Sequence, residues 1–369
     1  MSTTDIAMAV VRILIGFVAL IAGGEFLVRG ASRLAAAMKI SPLVIGLTVV
    51  AFGTSSPELA VAMQSALAGN SDIGLGNIVG SNIFNVLFIL GASAIIAPLV
   101  VHSRLVRLDV PLMIAVSVLV LVFGWDGRIG RLDGLIFAIG LVTYTVWCIR
   151  QSRRETREVE EEFAHEFGEA QAGTKSTLAQ VALIIAGLIL LGFGANWLID
   201  GSVKIATHLG VSQLIIGLTI VAVGTSLPEV VTSLVAAWRG ERDIAVGNVV
   251  GSNLFNILCV LGLSSLAAKD GIAVSAAALR FDIPVMIAVA IACLPIFYTG
   301  HVINRWEGIL FFFYYIAYTA HLVIEAMELS VAEPFSEAML GYVIPLTVIT
   351  LVMSAYRGYR EHARLKAAT

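Results

Sequence analysis

Charge is scarce in this chain. Only 13% of its 369 residues are Asp, Glu, Lys or Arg, about half of the roughly 25% usual in soluble domains. Hydrophobic residues make up 58%, and the mean hydropathy is +0.93. So little polar side chain cannot cover a soluble fold of this length. That excludes an ordinary globular enzyme, a disordered protein and a nucleic-acid binder; a net charge of -3 adds no attraction for polyanions. Cysteine is also rare. Cys148, Cys259 and Cys293 lie far apart in apolar stretches, so they read as small core side chains, not a disulfide frame or a thiolate metal site. The first apolar run is long and its end, 26–30, lacks the A-x-A pattern of a cleavable signal. It is expected to stay as a membrane helix.

What the chain has in quantity is apolar runs. A helix needs about 20 apolar residues to cross the bilayer core. Eleven segments qualify: 6–28, 42–68, 73–98, 108–124, 132–149, 177–199, 213–238, 244–267, 281–298, 306–325 and 339–356. Most connections are short. The exception, 150–176, holds seven glutamates between Glu155 and Glu169 and five basic residues. It reads as a solvated, partly helical linker, too short for a folded domain.

The chain repeats itself. Residues 46–58 read GLTVVAFGTSSPE and 217–229 read GLTIVAVGTSLPE, identical at ten of thirteen positions. At the same offset of 171, 76–91 (GNIVGSNIFNVLFILG) matches 247–262 (GNVVGSNLFNILCVLG) at eleven of sixteen. Asp72 and Asp243 match as well. Weaker echoes pair Gly30 with Gly201, Arg33 with Lys204, and Asp133-Gly134 with Glu307-Gly308. The expected fold is an all-α polytopic membrane protein: two repeats of five transmembrane helices, 1–149 and 177–325, joined by the 150–176 linker. Residues 326–369 add one extra helix and a basic tail. Five spans is an odd number, so the second half must enter the membrane upside down. That is the inverted-topology architecture of many secondary transporters.

Charge counts orient it. Seventeen basic residues lie on the side of the linker and C-terminus and five on the other; Arg12 lies within the first helix. By the positive-inside rule the linker and C-terminus are cytoplasmic and the N-terminus is outside. A multi-pass protein of the plasma (inner) membrane is expected.

Segments two and seven carry polar chemistry at mid-membrane: Gly53-Thr54-Ser55, Pro57 and Glu58, and Gly224-Thr225-Ser226, Pro228 and Glu229. Proline removes a donor and clashes with the carbonyl four residues back, so carbonyls are expected to be freed, those of Ala51 and Ala222 among them. Irregular backbone at this depth survives only where buried in protein or lining a cavity. An intramembrane carboxylate costs several kcal/mol unless paired, and two at matched positions point to a bound cation. Thr54 and Glu58 are four apart, as are Thr225 and Glu229, so each pair is expected on one helix face. Segments three and eight add Ser81 with Asn85 and Ser252 with Asn256, again four apart. The set is two carboxylates with hydroxyl, amide and carbonyl oxygens. Such a cage suits hard cations, Ca²⁺ above all and Na⁺ by size and charge.

Other motif residues have plainer readings. Gly91 and Gly262 suit helix packing, as in part do Gly80 and Gly251. Thr48 and Thr219 can bond back to their own helices. Asp72 and Asp243 read as N-caps or mouth charges. The six histidines fall outside the repeated motifs and read as interfacial or loop residues.

The paired GTSxPE and GNxxGSNxFN blocks resemble the two alpha-repeats of the sodium/calcium exchanger family, within the calcium:cation antiporter superfamily. Bacterial and archaeal sodium:calcium antiporters are the nearest likeness in length, and the resemblance covers residues 6–325. It implies a ten-helix core with Thr54, Ser55, Glu58, Ser81, Asn85, Thr225, Ser226, Glu229, Ser252 and Asn256 lining the ion site. It also implies Na⁺ influx coupled to Ca²⁺ efflux, typically three for one. In the potassium-dependent branch an aspartate tied to K⁺ stands where this chain has Asn256, which argues against K⁺ coupling. The cation/proton branch has an acid shortly after the second block's Gly-Asn. Here Gly76-Asn77 and Gly247-Asn248 are followed by apolar residues, which weakens proton coupling.

The expected function is therefore antiport by alternating access, with Glu58 and Glu229 neutralising one Ca²⁺ or two Na⁺. A third Na⁺ on neutral oxygens would make the exchange electrogenic. The long helices 6–38 and 177–208 are the expected sliding elements. Ca²⁺/H⁺ exchange through the same glutamates is the rival within transport. An intramembrane serine hydrolase on Ser55 or Ser226 lacks a base in the repeat, and a passive channel suits inverted repeats less well. The expected partners are Ca²⁺ and Na⁺, as transported ions rather than cofactors, and membrane lipids. No enzymatic activity, cofactor or nucleic acid is expected, and the chain is expected as a monomer or homodimer.

Overall fold

A computed structural model describes residues 3–38, 40–69, 71–154, 174–209, 222–298 and 300–327, with positions 344, 345 and 348. The linker between 155 and 173, the front of the seventh segment and nearly all of the eleventh lie outside the described residues. What is described is almost wholly helical. Helix α1 (Thr3–Met38) leads into a broken span, α2 (Pro42–Thr54) and α3 (Ser56–Leu67), bent by 45° at Ser55. Then come α4 (Gly74–Ile96), α5 (Leu105–Asp126) and α6 (Arg131–Arg154). The second half holds α7 (Thr174–His208), short α8 (Ala222–Gly224), α9 (Leu227–Arg239), α10 (Arg242–Ala267), α11 (Ala278–Tyr298) and α12 (Arg305–Ala326). Eight of these helices are individually long and apolar enough to cross a membrane, and the bent pair α2–α3 makes a ninth span.

The break follows from local sequence. Pro57 and Pro228 sit in the first turns of α3 and α9, where a missing N–H leaves no bond unmade. Each proline forces the preceding helix to end, and each glutamate then falls in a fresh first turn, where the positive helix end favours a carboxylate. Past α3 and α9 the chain turns on Gly69 (φ +78°) and Gly240 (φ +84°), repeat partners in a left-handed conformation that a side chain resists. Matched π-helical turns at Asn85–Leu90 and Asn256–Leu261 rotate the later parts of α4 and α10; such turns are frequent at functional sites.

Layering matches a membrane solvent. The apolar segment of α10 is wholly buried and that of α4 largely so. Around them α1 and α7 turn large side chains outward: Leu14, Phe17 and Val18 on one, Leu178, Ile185 and Phe193 on the other, all about half exposed or more. Lipid, not water, accommodates such a surface.

Four two-residue strands report how the halves are arranged. β1 (Leu99–Val100) pairs antiparallel with β4 (Val302–Ile303), and β2 (Arg128–Ile129) with β3 (Ile272–Ala273). Each pairing joins one half to the other. The loop after α4 therefore shares a membrane face with the loop before α12, as inverted five-span halves require.

α1 and α7 are locked together by matched glycines seven apart. A Cβ on Gly16 would lie 2.7 Å from the Gly194 carbonyl, and one on Gly23 would lie 2.8 Å from the Leu191 nitrogen and 2.9 Å from the Gly187 carbonyl. Backbone meets backbone there. Symmetry fails where this pair meets the core. α1 packs along α9, where Arg239 forks onto Glu25 and the Ser32 hydroxyl donates to Glu241 at 2.7 Å. The matched face, α7 on α3, has no comparable packing, and the matched positions are Ala68, Asn196, Asn70 and Val203.

Candidate ion site

The polar residues of the two breaks meet across the centre of the molecule. The Ser55 hydroxyl donates to Glu229 Oε1 at 3.0 Å, and the Ser226 hydroxyl donates to Glu58 Oε1 at 2.9 Å. Ser226 also lies 3.1 Å from the Ser81 hydroxyl on α4. Both glutamates are buried, at 0% and 1% exposure. Their other oxygens, Glu58 Oε2 and Glu229 Oε2, have no hydrogen-bond partner among the described residues.

The threonines pair differently. Thr54 Oγ1 donates toward the Val50 and Ala51 carbonyls (3.1 and 3.3 Å) and Asn248 Oδ1 (3.1 Å). Thr225 Oγ1 donates to Asn77 Oδ1 at 3.2 Å. Thr54 and Glu58 do not lie on one continuous helix as their spacing suggested. The 45° bend separates them, because Pro57 restarts the helix. The Ala51 carbonyl is not freed either. It accepts the Ser55 N–H at 3.0 Å as well as the Thr54 hydroxyl, since the last turn of α2 closes normally before the bend. Ala222 opens α8, three residues before Thr225.

Asn85 and Asn256 belong to a clasp between α4 and α10. Asn85 Nδ2 donates to Asn253 Oδ1 at 2.9 Å, and Asn256 Nδ2 to Asn82 Oδ1 at 3.0 Å. Asn82 and Asn253 in turn donate to each other's main-chain carbonyls, at 3.4 and 3.2 Å. The Oδ1 atoms of Asn85 and Asn256 are buried without a hydrogen-bond partner among the described residues, as is Ser252 Oγ. Unmatched oxygens thus recur in both halves. Each is costly to leave unmade, and a hard cation satisfies such acceptors. No three of His, Cys, Asp and Glu come together among the described residues, so any ion here is held by two carboxylates and neutral oxygens.

Several expectations for neighbouring residues resolve here. Thr48 bonds its own helix, donating to the Val44 carbonyl at 2.5 Å. Gly91 and Gly262 are packing positions: a Cβ on Gly91 would lie 2.9 Å from the Gly308 carbonyl, and one on Gly262 3.1 Å from the Phe137 Cβ. Asp243 faces His102, 3.3 Å away, and is not the N-cap of α10, a position held by Glu241. Thr219 and the side chain of Asp72 lie outside the described residues. Sequence reasoning passed over Asn77, Asn82, Asn248 and Asn253. The available signal was that all four are polar, repeat-matched and set in apolar helices.

Comparisons with known proteins agree with this architecture. The family model described as sodium/calcium exchanger protein matches residues 8–150 and 179–324. The putative antiporter CaxA of Alkalimonas amylolytica is 38% identical over 84% of this chain and 97% of its own length. The sodium/calcium exchanger MaX1 of Methanosarcina acetivorans is 32% identical over 83% of this chain and 96% of its own. Among solved structures, the sodium-calcium exchanger NCX_Mj superposes with a TM-score of 0.74 at 32% identity, covering 86% of this chain and 99% of that one. With matches spanning both halves and the same helical membrane fold, the chain belongs to the sodium/calcium exchanger protein family.

Proposed function

We propose that this multi-pass membrane protein exchanges Na⁺, moving inward, for Ca²⁺, moving outward, by alternating access. The ions compete for one charge: Glu58 and Glu229 balance a single Ca²⁺ or two Na⁺. The ligand set comprises those carboxylates with Thr54, Ser55, Ser81, Asn85, Thr225, Ser226, Ser252 and Asn256. A third Na⁺ on neutral oxygens makes the cycle electrogenic. The linker side faces the cytoplasm of the plasma (inner) membrane, and α1 with α7 slides against the core.

The observation that carries this reading is the crossed pair of buried carboxylates, each held through one oxygen by a serine of the other half and each with its second oxygen unmatched among the described residues. Both halves are needed to build either carboxylate's surroundings. The test is ⁴⁵Ca²⁺ uptake into proteoliposomes under an imposed Na⁺ gradient, with an imposed pH gradient in parallel. Uptake driven by Na⁺ and accelerated by a membrane potential of the appropriate sign is expected. Uptake driven only by the pH gradient would replace this reading with Ca²⁺/H⁺ exchange.

A further inference from the structure

We propose that Ser233, outside every repeated motif, is a positioning residue for the ion site: through Asn248 it keeps the Thr54 hydroxyl oxygen open to the cation. This rests on the reading of the site given above. Asn248 is fully buried on α10, and its amide faces two neighbours on α9. Its Nδ2 donates to Ser233 Oγ at 2.9 Å and toward the Glu229 main-chain carbonyl at 3.4 Å. A carbonyl only accepts, so it sets which way the amide lies, and the serine supplies the shorter bond. Oδ1 is thereby turned to Thr54 Oγ1, 3.1 Å away. The Val50 and Ala51 carbonyls on the same hydroxyl are also acceptors. With only acceptors against that wall, the hydroxyl proton points into it, and both oxygen lone pairs stay available for an ion. Turned over, the amide would present an N–H to Thr54 and take one of its two lone pairs, leaving a poorer ligand.

The other half lacks the device. Asn77 accepts from Thr225 in the matched way, but its Nδ2 is buried without a hydrogen-bond partner among the described residues. The position matching Ser233 is Ala62, which is buried against α4, its Cα 3.5 Å from a Cβ placed on Gly74. Among the described residues nothing comparable to Ser233 holds the Asn77 amide in its ion-competent sense. The two threonines are therefore unequal ligands, Thr54 fixed and Thr225 loosely set, although their motifs are nearly identical.

The test uses the purified full chain with Ser233→Ala, Ser233→Thr and Ala62→Ser. It reads the Ca²⁺ and Na⁺ concentrations that half-saturate the ion-dependent rise in Tm, alongside Na⁺-gradient-driven ⁴⁵Ca²⁺ flux. Ser233→Ala should raise the half-saturating concentrations about three- to tenfold, the range of one hydrogen bond, in addition to any fall in the ion-free Tm. In flux, half-saturation should move more than the maximal rate. Ser233→Thr keeps the hydroxyl and should track the parent, and Ala62→Ser should lower the half-saturating concentrations. A loss of ion-free Tm with unchanged half-saturation in Ser233→Ala would assign the residue a packing role only and overturn the proposal. Equal half-saturation in all four proteins would overturn it too. If neither Ca²⁺ nor Na⁺ moved the Tm of the parent, the ion-site reading would fall and carry this proposal with it.

Discussion

The Ser55 hydroxyl of the first half is bonded to Glu229 of the second at 3.0 Å, and its repeat partner Ser226 returns the bond to Glu58 at 2.9 Å. Each half therefore completes the acidic group of the other. A motif that looks self-contained in sequence works only as one arm of a crossed pair.

The first consequence concerns charge. Glu58→Gln or Glu229→Gln leaves one carboxylate to balance a divalent ion away from water, which costs several kcal/mol. Either change should reduce Na⁺-driven ⁴⁵Ca²⁺ flux by about 100-fold or more with the protein still made and inserted. Flux at the parent rate in either variant would remove that glutamate from the site.

Asn256 offers a finer probe. Its Nδ2 is engaged by Asn82, and its Oδ1 is unmatched among the described residues. Asn256→Asp adds a potential negative charge at nearly constant volume but sacrifices the donor to Asn82. The expected outcome is a change in monovalent-ion dependence larger than the change in Ca²⁺ affinity. Flux measured with and without K⁺ in parent, Asn256→Asp and Asn256→Ala decides it. Three matching profiles would place Asn256 in the clasp alone.

The long-helix seam makes a folding prediction. Gly23→Ala puts a methyl 2.8 Å from the Leu191 nitrogen and 2.9 Å from the Gly187 carbonyl. Backbone cannot yield as a flexible side chain can, so destabilisation of about 1–3 kcal/mol is expected. Gly192→Ala, on α7 with nothing within 4 Å of the added carbon among the described residues, is the control. Comparable Tm values for the two variants in detergent would refute the close approach of α1 and α7.

The ion pair between Glu25 and Arg239 joins α1 to α9 on one face only. Both side chains are partly exposed, at 20% and 30%, so their coupling should be about 0.5–1 kcal/mol. A double-mutant cycle on Tm with Glu25→Gln and Arg239→Gln measures it. Exchanging the two charges should recover part of the loss, though Arg29, which also contacts Glu25 at 2.5 Å, will oppose full recovery. A coupling of zero would leave the packing of Gly24 on Val231 and the Ser32–Glu241 hydrogen bond to hold α1 at the end of α9.

Orientation can be read by labelling. A cysteine placed near the N-terminus should react with an impermeant thiol reagent added outside, and one placed within 150–176 should not. The reverse pattern would invert the orientation drawn from the basic-residue count and every statement of transport direction with it.

Much of the molecule was legible in one dimension. Apolar runs mark the spans because a membrane solvent leaves few alternatives for backbone polar groups. Odd-numbered repeats imply inversion by counting alone, and the strand pairs Leu99–Val100 with Val302–Ile303 and Arg128–Ile129 with Ile272–Ala273 agree with it. Buried glutamates behind proline identify the chemistry because their burial is costly without a partner. The partners themselves were not legible. Spacing of four relates residues within a helix, and it suggested Thr54 with Glu58; the bend after Thr54 undid that pairing. The contacts between the halves that shape the site join residues 145 to 194 positions apart, such as Ser226 with Ser81 and Thr54 with Asn248. The inversion of one half against the other sets them, and no local period records it. Ser233 and Ala62 differ at a position that no motif flags. The tertiary structure alone gives that difference meaning, because it sets one beside the amide of Asn248 and leaves the matching amide of Asn77 without a partner among the described residues.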